Sequence, residues 1–570
     1  MRQISLAPLP LPLPLALFLG LAAAAPAEAQ LTTTVSHQKI SDLEGGFGGT
    51  IDDDDLFGTD VAAIGDLDGD GVGELAVGAK YDDDGYYAAG AVWILFLNAN
   101  RTVKSAQKIS ATAGGFTGTL GTTVIFGESV AGLGDLNGNG VEDIAVGAPG
   151  DDDGGGDRGA VWILFLNANG TVASHHKVSQ SSGELGGSLS NYSNFGSSVA
   201  AIGDLDGDGV VDLAAGGRQD PDGEGNNGAV WILFLRANGT VKGYQKISDT
   251  AGGFAGEIDQ YDFFGTAVAG LGDRNGDGAE DLAVGAPGDD DGGSACGAVW
   301  ILFLNASGTV QGYQKISNTS GGLGAVIAAY DQFGESCAAI GDLDGNGIGD
   351  LAIGAVTNDD GGADRGAAWI LLLAAGGTVG DAQRISDTAG GFAGSLDDND
   401  RFGCGVAGLG DLSGDGTTEI AVGAFYDDDG GFARGAVWVL SVASGPYAAS
   451  VWRNPSVGGI TNPSVYSYTS PPVVGGAYSA AIGTTGKAGC LLAGYAAPLT
   501  LAGPWGNFLV DFISAGGELL GLPAGLGDPA VITLPVPLDY NFLGVTLATQ
   551  AVRFGGGIDL TNARDLTLGF

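Results

Sequence analysis

The chain has 570 residues, of which 107 are glycine and 44% are hydrophobic. Disordered chains lack that much apolar content, so the composition points to many short strands joined by glycine turns. With 67 acidic and 22 basic residues the net charge is -45, which argues against nucleic acid and anionic membrane surfaces as partners and favours cations.

Residues 1–29 read as a signal peptide. Arg2 precedes an apolar run, Leu6 to Ala25, that is interrupted by prolines, and Ala27-Glu28-Ala29 supplies a small-x-small cleavage pattern. The mature chain then starts near Gln30. No later stretch is long and apolar enough to span a bilayer, so no membrane span is expected after cleavage and the protein is expected to be secreted or on the cell surface.

The segment TTTVSHQKIS, Thr32 to Ser41, is strand-like and stands alone. A repeat of 69 residues follows. Phe-Gly pairs begin at Phe57, Phe126, Phe195, Phe264, Phe333 and Phe402, and tryptophans fall at Trp93, Trp162, Trp231, Trp300, Trp369 and Trp438. In the first unit the strand signals are Val61–Asp66, Glu74–Ala79, the apolar Gly90–Leu97 and the more polar Arg101–Ser110. Four antiparallel strands repeated six times predict an all-β, six-bladed β-propeller over residues 30–442. The sixth unit stops at Val442 without a fourth strand. The N-terminal strand is the missing copy, and its insertion would remove two open sheet edges.

Between the first two strands of every unit lies a loop of pattern D-x-D-x-D-G-x-x-D/E. Calcium takes six to eight oxygens from such a tight loop. Positions 1, 3, 5 and 9 offer side chains, and position 7 a carbonyl. In the first loop these are Asp66, Asp68, Asp70, Glu74 and Val72. The second has Asp135, Asn137, Asn139 and Asp143, and the third Asp204, Asp206, Asp208 and Asp212. The fourth has Asp273, Asn275, Asp277 and Asp281, and the fifth Asp342, Asp344, Asn346 and Asp350. The sixth has Asp411, Ser413, Asp415 and Glu419. About one Ca2+ per repeat is expected, as a structural ion. Loops one and three carry four carboxylates each, so charge count alone has them filling first.

The motifs FG, GDLDGDG, LAVGAPG and GAVWILF resemble the FG-GAP repeat of integrin α-subunit propellers and related exported bacterial proteins, over about Thr32 to Val442. The resemblance implies the same calcium assignment and a calcium-stabilised adhesion or ligand-binding module. It also implies that ligands dock on the face opposite the acidic loops. Family propellers commonly have seven blades, so six is a departure. The partner expected is an unknown extracellular protein or glycan. The opposite face carries acidic runs at Asp82–Asp84, Asp151–Asp153, Asp289–Asp291 and Asp427–Asp429, with Asp52–Asp55 and Asp397-Asp398. These read either as ligand-binding or as solvated loops.

No catalysis is expected. The histidines are His37, His175 and His176, no HExxH, GxSxG or P-loop pattern occurs, and the acids repeat with the scaffold. A structural envelope component, or a secreted hydrolase using carboxylates, are the alternatives. Cys296, Cys337, Cys404 and Cys490 read as one or two bridges or free thiols. Residues 443–570 are poor in charge and rich in Pro, Leu, Val and Gly, and read as a small C-terminal β-domain, a sandwich by expectation. That tail resembles C-terminal domains of exported proteins from bacteria with complex envelopes.

Overall fold

Seven apolar residues in a row, as in AVWILFL, have no face to give to water and need cover on both sides. A computed structural model shows how this is met. It describes residues 33–186, 189–222 and 225–443, and seven strands between residues 450 and 567. The N-terminal strand is β1 (Thr33–Ile40). Blade one is β2 (Phe57–Ala63), β3 (Leu75–Ala79), β4 (Ala91–Leu97) and β5 (Val103–Ile109). Blade two is β6 (Val130–Gly134), β7 (Asp143–Ala148), β8 (Ala160–Leu166) and β9 (Val172–Ser179). Blade three is β10 (Phe195–Ala201), β11 (Leu213–Gly217), β12 (Ala229–Leu235) and β13 (Val241–Ile247). Blade four is β14 (Ala267–Gly272), β15 (Asp281–Ala286), β16 (Ala298–Leu304) and β17 (Val310–Ile316). Blade five is β18 (Phe333–Gly341), β19 (Asp350–Ala355), β20 (Ala367–Leu373) and β21 (Val379–Ile385). Blade six is β22 (Phe402–Gly410), β23 (Thr418–Ala424) and β24 (Ala436–Ala443), completed by β1.

The fold is therefore a six-bladed, all-β propeller, closed as expected: β1 runs antiparallel to β24, with Ile40 opposite Val437 and Thr34 opposite Val442. The core lies between the blades. Six hydrophobic clusters each join one blade to the next, and the last joins blade six to blade one through Val437, Val439, Phe57 and Val77. The first strand of each blade lines a central channel.

The first strand of blade one differs from the sequence expectation. It spans Phe57–Ala63, not Val61–Asp66. Phe57 pairs with Ala79 and Val61 with Val77, an irregular register that includes the Phe-Gly turn in the strand. The strand ends at Ala63 because the next backbone groups pinch the acidic loop shut: Ile64 N–H donates to Glu74 O, and Glu74 N–H to Gly65 O.

The signal-peptide expectation lies outside the described residues. Cys296, Cys337 and Cys404 are buried free thiols, so none of these three forms a bridge. Beyond the propeller, which falls in the compact unit Leu31–Gly445, the C-terminal strands form two sheets. One contains β25 (Ser450–Arg453), β28 (Gly489–Tyr495), β30 (Thr546–Phe554) and β31 (Asp559–Thr567), and the other β26 (Tyr466–Tyr468), β27 (Ala477–Ile482) and β29 (Ala530–Pro535). Among the described residues no helix is long and apolar enough to cross a membrane.

Deleting Thr32 to Ser41 exposes the edge of β24 and uncovers Trp438. The truncated protein should aggregate or lose cooperative unfolding. A monomer with native-like thermal stability would show that closure is dispensable.

Candidate functional site

Position 1 anchors each acidic loop. Asp66 accepts the backbone N–H groups of Gly69 at 2.8 Å, Asp70 at 3.0 Å and Gly71 at 2.8 Å. Asp135, Asp204, Asp273, Asp342 and Asp411 accept the equivalent N–H groups in their own loops. Position 5 accepts the N–H two residues on, as in Val72 to Asp70 at 2.9 Å. Gly69 and Gly71 sit at φ of 80° and 89°, which glycine adopts at no steric cost.

Position 9 is buried and ties the loop to the blade. Asp143, Asp212, Asp281 and Asp350 each accept one N–H from loop position 2 and one from the end of the third strand. Glu74 is longer and behaves differently. Its Oε2 accepts Leu67 N–H at 2.6 Å, while its Oε1 is buried with no hydrogen-bond partner. Glu74 also belongs to a group in which Asp66, Asp68, Asp70 and Glu74 each bring one carboxylate oxygen within 4.8 Å of the others. Asp204, Asp206 and Asp208 converge likewise, as do Asp342, Asp344 and Asp350. Among the described residues the three carboxylates of loop four and of loop six do not, and Asp212 stands apart from its loop's group. An all-oxygen set with a buried oxygen left over suits a hard divalent cation.

Local spacing did not point to the basic residues beside these loops. Lys104 Nζ lies 2.8 Å from Asp68 Oδ2 and is bonded to Asp70, and Lys242 makes the matching contacts to Asp206 and Asp208.

The acidic runs of the opposite face are largely structural. In each blade the fourth-strand cation lies over the blade's tryptophan, as Lys246 does over Trp231 at 5.1 Å. In every blade but the fifth the same cation pairs with the first and third acids of the run, as Lys246 does with Asp220 at 2.7 Å and Asp222 at 3.2 Å and Lys315 with Asp289 and Asp291; in blade five Asn358 replaces the first acid and Arg384 pairs with Asp360. A serine two residues on also donates to the third acid, Ser248 to Asp222 at 2.6 Å. Asp83, Asp152 and Asp290, the middle acids, are exposed. Arg434 and Arg365, from the loops between second and third strands, pair with Asp53 and Asp398 in the loops between blades.

That face has two features outside the acidic pattern. Tyr81, Tyr86, Tyr87, Tyr192, Tyr261, Tyr330, Tyr426 and Phe432 are all exposed there. Tyr192, Tyr261 and Tyr330 occupy one repeat position at φ of 67° to 74°, a left-handed region that is costly for bulky side chains. The second feature is a charged collar at the channel mouth. Glu128 is held by Lys80 at 3.2 Å and Arg218 at 3.3 Å, and Lys80 lies over the Phe425 ring at 4.9 Å. Glu335 faces the same cavity of about 280 Å³. In other blades the position of Glu128 holds Thr59, Ser197, Thr266 and Cys404, and that of Lys80 holds Pro149, Pro287 and Val356. Contrary to the expectation that every acid follows the scaffold, the repeat is broken here.

A family profile described as the FG-GAP repeat matches residues 57–95, 126–164 and 195–233, the first three strands of blades one to three. The chain is 36% identical over 170 residues to integrin alpha-5 of Xenopus laevis, covering 29% of this chain and 15% of that protein. It is 32% identical over 232 residues to integrin alpha-PS2 of Drosophila melanogaster, covering 40% and 15%. It is 34% identical over 166 residues to human integrin alpha-6, covering 29% and 13%. The protein carries an integrin alpha-like FG-GAP propeller. The matches span about 15% of these relatives' length.

Burial sets the electrostatics of the FG-GAP propeller. It pushes Glu74 up to about 7 and Asp143, Asp212 and Asp350 to about 6. On the opposite face it raises Asp55, Asp262 and Asp400 to about 7. A raised carboxyl binds its proton more tightly in the folded state, so its contribution is full below the unfolded value near 4 and is lost as pH rises through 6 to 7. In chelator, the melting temperature of the FG-GAP propeller should therefore rise as pH falls from about 8 to about 5. A melting temperature that falls over this range would contradict the assignment. Separately, Lys246→Met strands the buried Asp220 and should cost on the order of 3 kcal/mol in denaturant unfolding, whereas Asp290→Asn at an exposed site should change stability by less than about 0.5 kcal/mol.

Proposed function

We propose that this protein is an exported calcium-binding β-propeller that serves as an adhesion or ligand-binding module at or outside the cell surface. Its ligand, an extracellular protein or glycan, docks on the face opposite the acidic loops. The observation that carries the reading is the pairing on that face of eight exposed aromatics with a collar that departs from the repeat. Tyrosines offer large contact area at low entropic cost. The same turn position is left-handed in the other three blades, at Asp54, Thr123 and Asn399, so the scaffold sets the backbone and leaves the presented side chain free to vary. The FG-GAP match in blades one to three, together with the integrin alpha relatives, supports a binding role over an enzymatic one.

The calcium ions would be held by positions 1, 3, 5 and 9 of each loop, with the position 7 carbonyl. They would neutralise carboxylates that the fold crowds together. If each site binds at about 0.1 to 1 mM, then at about 1 mM calcium each adds roughly 0.4 to 1.4 kcal/mol. Six sites together match the net stability of a typical domain.

Chelation should lower the melting temperature by many degrees. Calcium should restore it, and magnesium, with its strict octahedral demand, much less. An unchanged melt in excess chelator would remove the metal from the reading. Binding to glycan, matrix-protein and cell-surface arrays, with and without calcium, tests the ligand. A Tyr192→Ala, Tyr261→Ala, Tyr330→Ala triple variant should fold normally and lose the signal; retained binding would move the ligand off this face.

A further inference from the structure

The fourth strand of each blade returns past the acidic loop and brings one side chain to it. In chain order that repeat position is Val35, Lys104, Ala173, Lys242, Gln311 and Gly380. The lysines fall on loops one and three, the two with four carboxylates. Lys104 Nζ is 2.8 Å from Asp68, bonded to Asp70 and 3.9 Å from the unpartnered Glu74 Oε1. Lys242 Nζ is 2.9 Å from Asp206 and bonded to Asp208. Elsewhere, Gln311 only reaches Asp277 at 3.5 Å. Arg101 bonds the hydroxyls of Ser36 and Ser441 beside loop six, and Arg274 the carbonyl of Gly349 in loop five. With its ammonium counted, each four-carboxylate loop has the same net charge as a loop with three.

We propose that Lys104 and Lys242 are built-in counter-ions of loops one and three. They hold the two most acidic loops in shape when no metal is present, and they compete with calcium for the same carboxylates. Loops one and three then bind calcium no more tightly than the three-carboxylate loops, and charge count ceases to set the order of filling. This inference rests on the calcium reading above.

The contacts support a competitive role. Both lysines engage positions 3 and 5, whose oxygens a loop-bound ion would need, and they leave position 1 to the backbone. Two unit charges about 4 Å apart still interact appreciably near a protein surface, so a divalent ion must offset the loss of this pairing before it gains anything. The strand that carries the lysines is already fixed by the blade, so reaching the loop costs only their own rotamer freedom and no further backbone ordering.

The test uses the full-length protein with Lys104→Met and Lys242→Met together, and the matching Lys→Arg pair as the conservative control. Calcium titration calorimetry on the Met variant should show two sites tightened about tenfold. Its melting temperature should fall by a few degrees in chelator and rise further on adding calcium than that of the unaltered protein. The Arg variant should behave as the unaltered protein in both measurements. Unchanged or weaker calcium binding in the Met variant, or an unchanged melt in chelator, would overturn the proposal. A failed calcium reading looks different: there the unaltered protein itself neither binds calcium nor melts higher with it.

Discussion

The whole ring depends on one contact: the backbones of adjacent blades touch at glycine. A methyl group on Gly78 would come within 2.0 Å of Gly127 O in the next blade. The same is true of Gly147 against Gly196 O at 1.9 Å, Gly216 against Gly265 O at 1.9 Å, and Gly285 against Gly334 O at 1.9 Å. Gly354 against Gly403 O at 1.8 Å and Gly423 against Gly58 O at 2.0 Å complete the circle. Real side-chain carbons do not approach that closely, so no other residue fits without moving a blade. The contact draws the inner strands together and lets the Phe57, Phe126 and Phe195 rings fill the wedge behind it, fully buried. Blade spacing, channel width and the packing of six separate cores all follow.

A chain of net charge -45 also has to place its acids without tearing itself apart. It does so at both ends of each blade. On one face, a lysine stacked on tryptophan holds two aspartates in every blade but the fifth, where Arg384 holds one, so three otherwise separate sequence features become one cluster. On the other face, position 1 of every loop is satisfied by backbone N–H groups and position 9 is buried against the strand end. Positions 3 and 5 form the outward set, with position 5 also accepting the N–H two residues on and, in loops one and three, a lysine across both. Burial of position 9 and exposure of position 3 thus give each loop an inner end fixed to the blade and an outer end that faces solvent.

The regular architecture was legible in the sequence because a period of 69 residues repeats every determinant six times. Blade number, closure by β1 and the four strands of each unit follow from counting. Strand limits were less legible: the Phe57-Gly58 turn joins β2 through an irregular register that hydrophobic pattern alone does not show. The clusters beside the loops were hidden for a different reason. Lys104 stands more than thirty residues beyond Asp70 in sequence, and only the return of the fourth strand brings them together. The collar was hidden by the repeat itself. Glu128 and Glu335 look unremarkable in a chain with 67 acidic residues until the ring places them at one mouth. Comparing the six copies position by position, instead of matching them to their shared motif, would have revealed both the lysines and the collar.

The seam in blade six has a consequence for how the molecule is made. Ile40 cannot meet Val437 until about 400 further residues exist. At the roughly 5 to 20 residues per second of synthesis, the first strand waits about 20 to 80 seconds for its partner. Blades one to five can assemble from local hairpins in that time, but the ring remains an open arc with one edge unpaired. The last event is a loop closure across nearly the whole propeller, which is entropically slow. The finished protein is therefore a kinetic latch. Once β1 is in place, its release must break the β1–β24 ladder before any loop entropy is regained, so the ladder, and not the slow closure, delays reversal.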